Sequence, residues 1–207
     1  MDILFNIIFA LSGAVLGSIL GHRFTIGLSK DRATQQKKAL YNEVFIIQTE
    51  FVNYLKPLID EFNEPFRQKY FGPPLIYTRL IENLMVELSG SDEIISIEQR
   101  KFLVRIGHKD KALSKKDNSR SAFVERWLIS NGNLDFSEKL STEQSIQFWT
   151  AHLLREVVDI IFHASKFLEE KDNFMFREYS LEQKIIAVCK YSDIAYESSF
   201  WTKVIQR

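Results

Sequence analysis

The stretch that decides the fold lies near the amino terminus and reads ILFNIIFALSGAVLGSILG over residues 3–21. These nineteen residues would form a helix about 28 Å long, close to the roughly 30 Å hydrocarbon core of a bilayer. Its only polar side chains are Asn6, Ser12 and Ser18. Backbone groups inside lipid have to be hydrogen-bonded within their own segment, which favours a helix. We therefore predict a transmembrane anchor over residues 1–28.

The residues that flank this run predict its orientation. Only Asp2 precedes it, whereas basic residues follow it: Arg23, Lys30, Arg32, Lys37 and Lys38, opposed by Asp31. A cleaved signal peptide, the main alternative, carries a positive charge ahead of its apolar run, and none stands here. Because Lys and Arg are enriched on the cytoplasmic side, we expect a single-pass protein of the inner (cell) membrane. Its amino terminus would lie outside and its remaining domain in the cytoplasm.

Small residues line one side of the predicted anchor. Gly13, Gly17 and Gly21 are spaced by four and share one helix face, and a parallel row lies beside them: Ala10, Ala14 and Ser18. Small residues let two helix backbones approach closely in lipid, although membrane helices also carry more glycine in general. We interpret this face as a packing seam, either for a homo-oligomer or for a partner membrane protein.

Composition describes the rest of the chain as an ordinary globular domain. Of 207 residues, 45% are hydrophobic, with 17 Phe and 7 Tyr as bulky core material. The formal net charge is zero, so no nucleic-acid partner is expected. Cys189 is the single cysteine, which excludes an internal disulfide and suits a reducing cytosol. We predict one cytosolic helical domain over residues 29–207, with a possible subdivision near 108–120.

Helical periodicity recurs throughout this domain, and no alternating strand series is present. The predicted helices cover residues 29–62, 75–88, 97–107, 121–130, 142–171 and 181–205. The expected fold class is therefore all-α: one N-terminal transmembrane helix followed by an irregular cytosolic bundle of five to six helices.

Three capping boxes predict where helices begin. Ser96, Ser141 and Ser180 are each followed three residues later by Gln, which lets both side chains bind free backbone amides. Residues 108–120 are polar and charged, and they follow Gly107. We therefore expect a helix to stop near Gly107 and an exposed loop to follow.

One candidate metal or acid–base site lies on the predicted helix 142–171. His152, Glu156, Asp159 and His163 recur at intervals of three and four, so they share one stripe. Imidazole and carboxylate are ligands of zinc, manganese and non-haem iron, but one helix cannot close such a site alone. The alternative is a hydrated polar edge in which acids and histidines pair locally. No cofactor is predicted.

A second candidate site is basic. Eight cations lie between residues 100 and 120: Arg100, Lys101, Arg105, Lys109, Lys111, Lys115, Lys116 and Arg120. Next to anionic lipid such a patch would gain about 1 kcal/mol per cation. The alternatives are an ordinary solvated loop or contact with another anionic partner.

These observations favour a membrane-anchored helical scaffold or interaction subunit whose partners are membrane lipid and either a second copy or another membrane protein. A membrane-perturbing effector of a bacterial toxin or phage-defence type is one alternative, because clustered glycine-lined helices would form a pore. A metal-assisted enzyme that uses the His/Glu/Asp stripe is another. Signatures of nucleotide-binding loops, serine hydrolases and kinases are absent from the sequence.

Overall fold

The computed structural model describes residues 2–66, 70–89, 95–130 and 133–207, and the side chains of residues 2–16 and 20 lie outside this description. The described chain is 83% helical and contains no strand, which confirms the all-α prediction. Six α-helices and one 3₁₀ turn follow in order: α1 Asp2–Asn63, α2 Thr78–Ser89, α3 Ile97–Ile129, α4 Phe136–Glu170, the turn Lys171–Asn173, α5 Leu181–Tyr191 and α6 Ser198–Gln206.

Helix α1 and helix α4 form the centre of the bundle and run in opposite directions. Tyr41 donates a hydrogen bond to Asp172, just beyond the end of α4, whereas Thr150 near its middle donates to Glu61. Fully buried aliphatic side chains fill the space between the helices, among them Leu55 on α1. Burial of such side chains is worth about 1.5–3 kcal/mol each, so this pair dominates the core.

Helix α3 completes a three-helix core and runs parallel to α1. Gln99 at its start donates to Tyr41, and Arg120 further along binds Glu61. The shorter helices α2, α5 and α6 pack around this core, and α5 is joined to α4 by an ion pair between Lys184 and Asp159.

Helix α1 has two parts with different surroundings. Every side chain described between residues 17 and 32 is exposed, and Ala33 is the first buried residue. From Ala33 onward, one side of the same helix belongs to the core. The helix therefore projects from the bundle as a free rod over residues 17–31, and Arg32 pairs with Glu87 of α2 at 4.0 Å.

Within the part of the chain whose side chains are described, no helix contains a stretch long and apolar enough to cross a bilayer. Most of the predicted anchor, residues 2–16, lies outside that part.

The predicted exposed loop over residues 108–120 is wrong. Helix α3 continues without interruption from Ile97 to Ile129, and Gly107 lies in its interior. The reason is tertiary: several charged residues of this stretch face acids on neighbouring helices, and Leu113 is buried in the core. Charge alone therefore did not indicate solvent exposure here.

The capping boxes were partly right. Ser96 and Ser180 begin α3 and α5, and in both boxes the serine oxygen and the glutamine side chain each accept a backbone N–H. Ser141 caps nothing, since α4 already begins at Phe136 with Asp135 as its N-cap. The predicted last helix is divided into α5 and α6, because residues 192–197 leave the helical conformation and Asp193 has a φ of 52°.

Candidate functional site

The small-residue face of α1 is open on this chain. Gly17, Ser18 and Gly21 are exposed, and a Cβ atom added at Gly17 or Gly21 would meet no heavy atom within 4 Å. The side chains of the other predicted seam residues, Ala10, Gly13 and Ala14, lie outside the described part. Nothing in the described bundle covers this face, so another molecule can approach it without obstruction.

The first carboxylate of the α4 stripe is held by two lysines from α3. Glu156 accepts hydrogen bonds from Lys109 and Lys116, and its side chain is only 17% exposed. Burial raises the pKa of Glu156, but the hydrogen bonds from the two lysines outweigh burial and the pKa lies below its ordinary value. This carboxylate is therefore ionised and serves as a link between α3 and α4.

The second carboxylate of the stripe, Asp159, is surrounded by cations from two other helices. Lys184 Nζ of α5 lies 2.5 Å from Oδ1, while Lys109 Nζ and Arg105 Nη2 of α3 lie 3.0 and 3.4 Å from Oδ2. Burial raises the pKa of Asp159, yet the ion pairs with Lys109 and Lys184 bring it down to about 2. Asp159 therefore joins α3, α4 and α5 at one point.

The two histidines of the stripe occupy different environments. His163 is 3% exposed, lies against the rings of Phe162 and Phe176, and has Nδ1 2.9 Å from the carbonyl oxygen of Asp159. His152 packs edge-on against Phe148 instead. Burial lowers the pKa of both imidazoles, so both are neutral at pH 7.

The stripe therefore resembles an inter-helix ion-pair network more than a metal site. Both of its carboxylates are occupied by lysines, and no group of three or more His, Cys, Asp or Glu residues in the described ranges is arranged to hold a metal ion. The metal-assisted enzyme gains no support from this geometry.

The predicted basic patch is divided by α3 into an inner and an outer half. Arg105, Lys109, Lys116 and Arg120 face acids within the fold, and Arg120 is completely buried. The outer half is exposed: Arg100, Lys101, Lys111 and Lys115. Within that half Lys101 already pairs with Glu98 at 2.7 Å. The surface available to an anionic partner is therefore smaller than the sequence suggested.

Sequence reasoning missed the strongest polar cluster of the bundle, which centres on Arg120. Its guanidinium binds Glu61 of α1 at 2.9 Å and Asp117 of its own helix at 2.6 Å. Burial lowers the pKa of Arg120, but Tyr54, Glu61 and Asp117 raise it by more than burial lowers it. The pKa therefore lies above its ordinary value, and the arginine stays charged.

The same arginine fastens the segment that leads to α2. Arg120 Nη2 donates to the carbonyl oxygen of Phe71 at 2.6 Å, and the guanidinium lies 4.8 Å from the centre of the Tyr70 ring. Tyr70 in turn donates to Asp117 at 2.6 Å. A sequence signal was present, because Leu113, Asp117, Arg120 and Val124 recur at helical spacing and all are buried.

A surface groove lies between α1 and the segment before α2. It has a volume of about 280 Å³, and its apolar lining includes Ile46, Leu75 and Tyr77, of which Leu75 is 82% exposed. Glu43 and Glu50 stand among its lining residues, which include no cation. The groove is an apolar, acid-bordered surface with no occupant inside this chain.

No protein-family model, no curated protein and no solved structure matches this chain.

Proposed function

We propose that this protein is a membrane-anchored helical interaction subunit. The start of α1 spans the inner membrane, the bundle lies in the cytoplasm, and the small-residue face of α1 joins the subunit to another polypeptide. The observation that carries the proposal is the two-part character of α1: one helix whose residues 17–31 stand free and whose later residues contribute to the core.

The free part of α1 is too apolar for a helix that ends in water. Its exposed side chains include Ile19, Phe24, Ile26 and Leu28, which are 49%, 70%, 48% and 56% exposed. Apolar surface in water costs about 25 cal/mol per Å², and exposed apolar surface of this kind is typical of contact with a membrane or a partner. A bilayer followed by a second helix would cover it.

The basic residues after the run support the orientation. Arg23 and Lys30 are exposed on the projecting rod, where they would meet the cytoplasmic headgroups, and Arg32 follows at its base beside Glu87. Lys and Arg near anionic lipid contribute about 1 kcal/mol each, so they would hold the rod in the predicted direction.

The test is a substitution on the seam with a matched control on the same helix. Gly17→Leu fills the small-residue face, and because a Cβ there contacts nothing inside the chain, the fold is unaffected. Ile26→Phe is the control: Ile26 is 48% exposed and lies about 180° around the helix from Gly17.

We expect Gly17→Leu to abolish crosslinked complexes in native membranes and Ile26→Phe to preserve them. Both variants should remain in the carbonate-resistant membrane fraction. Complexes unchanged in Gly17→Leu, or wild-type protein recovered outside the membrane fraction, would contradict the proposal.

A further inference from the structure

The small-residue face of α1 continues beyond the membrane-proximal rod as a longer exposed surface. Gly17 and Gly21 are followed on the same side by Phe24 and Leu28, both more than half exposed. Along the bundle the same side continues with six exposed residues: Gln35, Ala39, Asn42, Ile46, Thr49 and Asn53. We name this surface, from Gly17 to Asn53, the α1 strip.

The α1 strip is straight. Gly17 and Asn53 are about ten turns of 3.6 residues apart, so they lie on the same side of the helix and roughly 54 Å from each other. The buried residues of α1, such as Val44 and Leu58, lie on the opposite side. The bundle therefore leaves the whole strip accessible to a neighbour.

The chemistry of the strip is unusual for a helix face in water. A solvent-facing side of a surface helix normally carries charged as well as uncharged polar residues. On the α1 strip, Asp31 at its edge is the one charged residue between Gly17 and Asn53, while Ile46 is 52% exposed. Scarcity of charged side chains together with an exposed apolar residue is characteristic of the core of an interface.

From Lys38 to Asn53, charges of opposite sign lie on the two flanks of the strip. Lys38 lies on one flank and Glu43 on the other, five residues further along. In two parallel helices packed side by side, flanking residues at this spacing meet across the seam. Lys38 of each copy would thus face Glu43 of the other copy. The twofold axis that relates the two copies makes this contact occur twice.

Phe45, the next residue on the Lys38 flank, is apolar and so matches the apolar lining of the groove on the other flank. Phe45 is 57% exposed and lies five residues before Glu50. Glu50 lines the groove together with Ile46, Leu75 and Tyr77. A parallel copy would therefore bring its Phe45 to this groove. The aromatic ring and the apolar lining would both leave water, which favours association.

We propose that the occupant of the α1 strip is a second copy of this chain, packed in parallel against it from Gly17 to Asn53. Two copies inserted in one membrane share one orientation, so a parallel, twofold-symmetric arrangement is the one available to them. This inference rests on the proposed membrane-anchored function and specifies its partner.

The first test is disulfide crosslinking of the full chain in native membranes, with buried Cys189 replaced by alanine. Asn42→Cys and Asn53→Cys place a thiol on the strip, and Ser114→Cys places one on an exposed position of α3 as the control. On mild oxidation we expect dimers from the two strip variants and none from Ser114→Cys.

The second test is a charge exchange. Lys38→Glu would place like charges against each other at two symmetric contacts and weaken dimerisation about tenfold, equivalent to about 1.4 kcal/mol. Adding Glu43→Lys to the same chain would restore the attraction and the dimer. Restoration by a second substitution in the same sequence is expected of a homotypic contact and not of a different partner protein.

The outcomes separate the two proposals. If the strip variants give no disulfide dimer while Gly17→Leu still abolishes complexes, the second copy is excluded and the membrane-anchored function stands with a different partner. If the wild-type protein leaves the membrane fraction, the proposed function fails first. If the double exchange remains as weak as Lys38→Glu alone, the parallel pairing is overturned.

Discussion

Arg120 and Glu61 are joined inside the core: Nη1 of the arginine lies 2.9 Å from Oε1 of the glutamate, and the two side chains are 0% and 7% exposed. Thr150 of α4 donates a further hydrogen bond to the same carboxylate oxygen at 2.8 Å. A single buried charge pair thus links α1, α3 and α4 at the end of the bundle far from Ala33.

Removing one partner of this pair should be costly. Arg120→Met leaves Glu61 buried without its cation, and breaking a buried pair in this way costs about 3–5 kcal/mol. The free energy of unfolding, measured by denaturant titration in detergent, should fall by that amount. Arg126→Met is the control, because the Arg126–Glu138 pair is 55% and 45% exposed and such surface pairs contribute at most about 1 kcal/mol. Equal losses in the two variants would contradict a special role for Arg120.

The ion pairs of Asp159 predict a defined acid sensitivity. Its pKa is lowered from 3.8 to about 2, so the folded state binds this proton less readily than the unfolded state does. The corresponding stabilisation, about 2 kcal/mol, is present above roughly pH 4 and is lost as the pH falls towards 2. Stability measured at intervals through this range should show the loss.

Substitutions assign this acid sensitivity to the residue. Asp159→Asn should reduce stability at pH 7, since Lys184 stays buried without its carboxylate, and it should flatten the profile between pH 4 and 2. Asp193→Asn, at an exposed aspartate, should keep the wild-type slope. A profile in Asp159→Asn as steep as that of the wild type would show that other carboxylates cause the acid sensitivity.

The serines of two similar sequence motifs should respond in opposite ways. Ser96→Ala removes the oxygen that accepts the N–H of Gln99 at the start of α3 and should cost about 1 kcal/mol. Ser141→Ala replaces an exposed residue inside α4, where alanine is the better helix former, and should be neutral or slightly stabilising. Thermal unfolding of the two variants compares them directly. A similar loss in both would imply that Ser141 also acts as a cap.

Gly107 should be replaceable by alanine with a gain in stability. It lies in the interior of α3, and a Cβ there would be 3.9 Å from Thr78 Cγ2, an ordinary van der Waals contact. Alanine loses less backbone entropy than glycine on helix formation, which is worth about 0.5–1 kcal/mol. An increase in the midpoint of thermal unfolding is expected. A decrease would indicate that α3 needs glycine at this position.

Local chemistry explains which parts of the fold were predictable from the sequence. The boxes at Ser96 and Ser180 are complete within four residues, so their sequence contains all that the helix start requires. The box at Ser141 has the same letters, but α4 begins earlier at Asp135, whose side chain accepts the N–H of Glu138. Two possible starts competed, and the sequence alone did not rank them.

The errors at residues 108–120 have a different origin. Lys109 and Lys116 are 40 or more residues away from Glu156 in sequence, and their pairing depends on the packing of α3 against α4. Because that contact is not visible in the sequence, the charges of Lys109 and Lys116 were interpreted as evidence of solvent exposure. The α4 stripe was proposed from its spacing alone, whereas the lysines that pair with its carboxylates come from α3 and α5.

The unbroken course of α1 has a mechanical consequence. Since one helix runs from the projecting rod into the core without a hinge, the first buried turn at Ala33 keeps a fixed distance, about 24 Å, and a fixed angle to Gly17. The bundle therefore cannot swivel independently of that rod. Any rotation of α1 imposed near Gly17 would therefore rotate the whole bundle by the same angle.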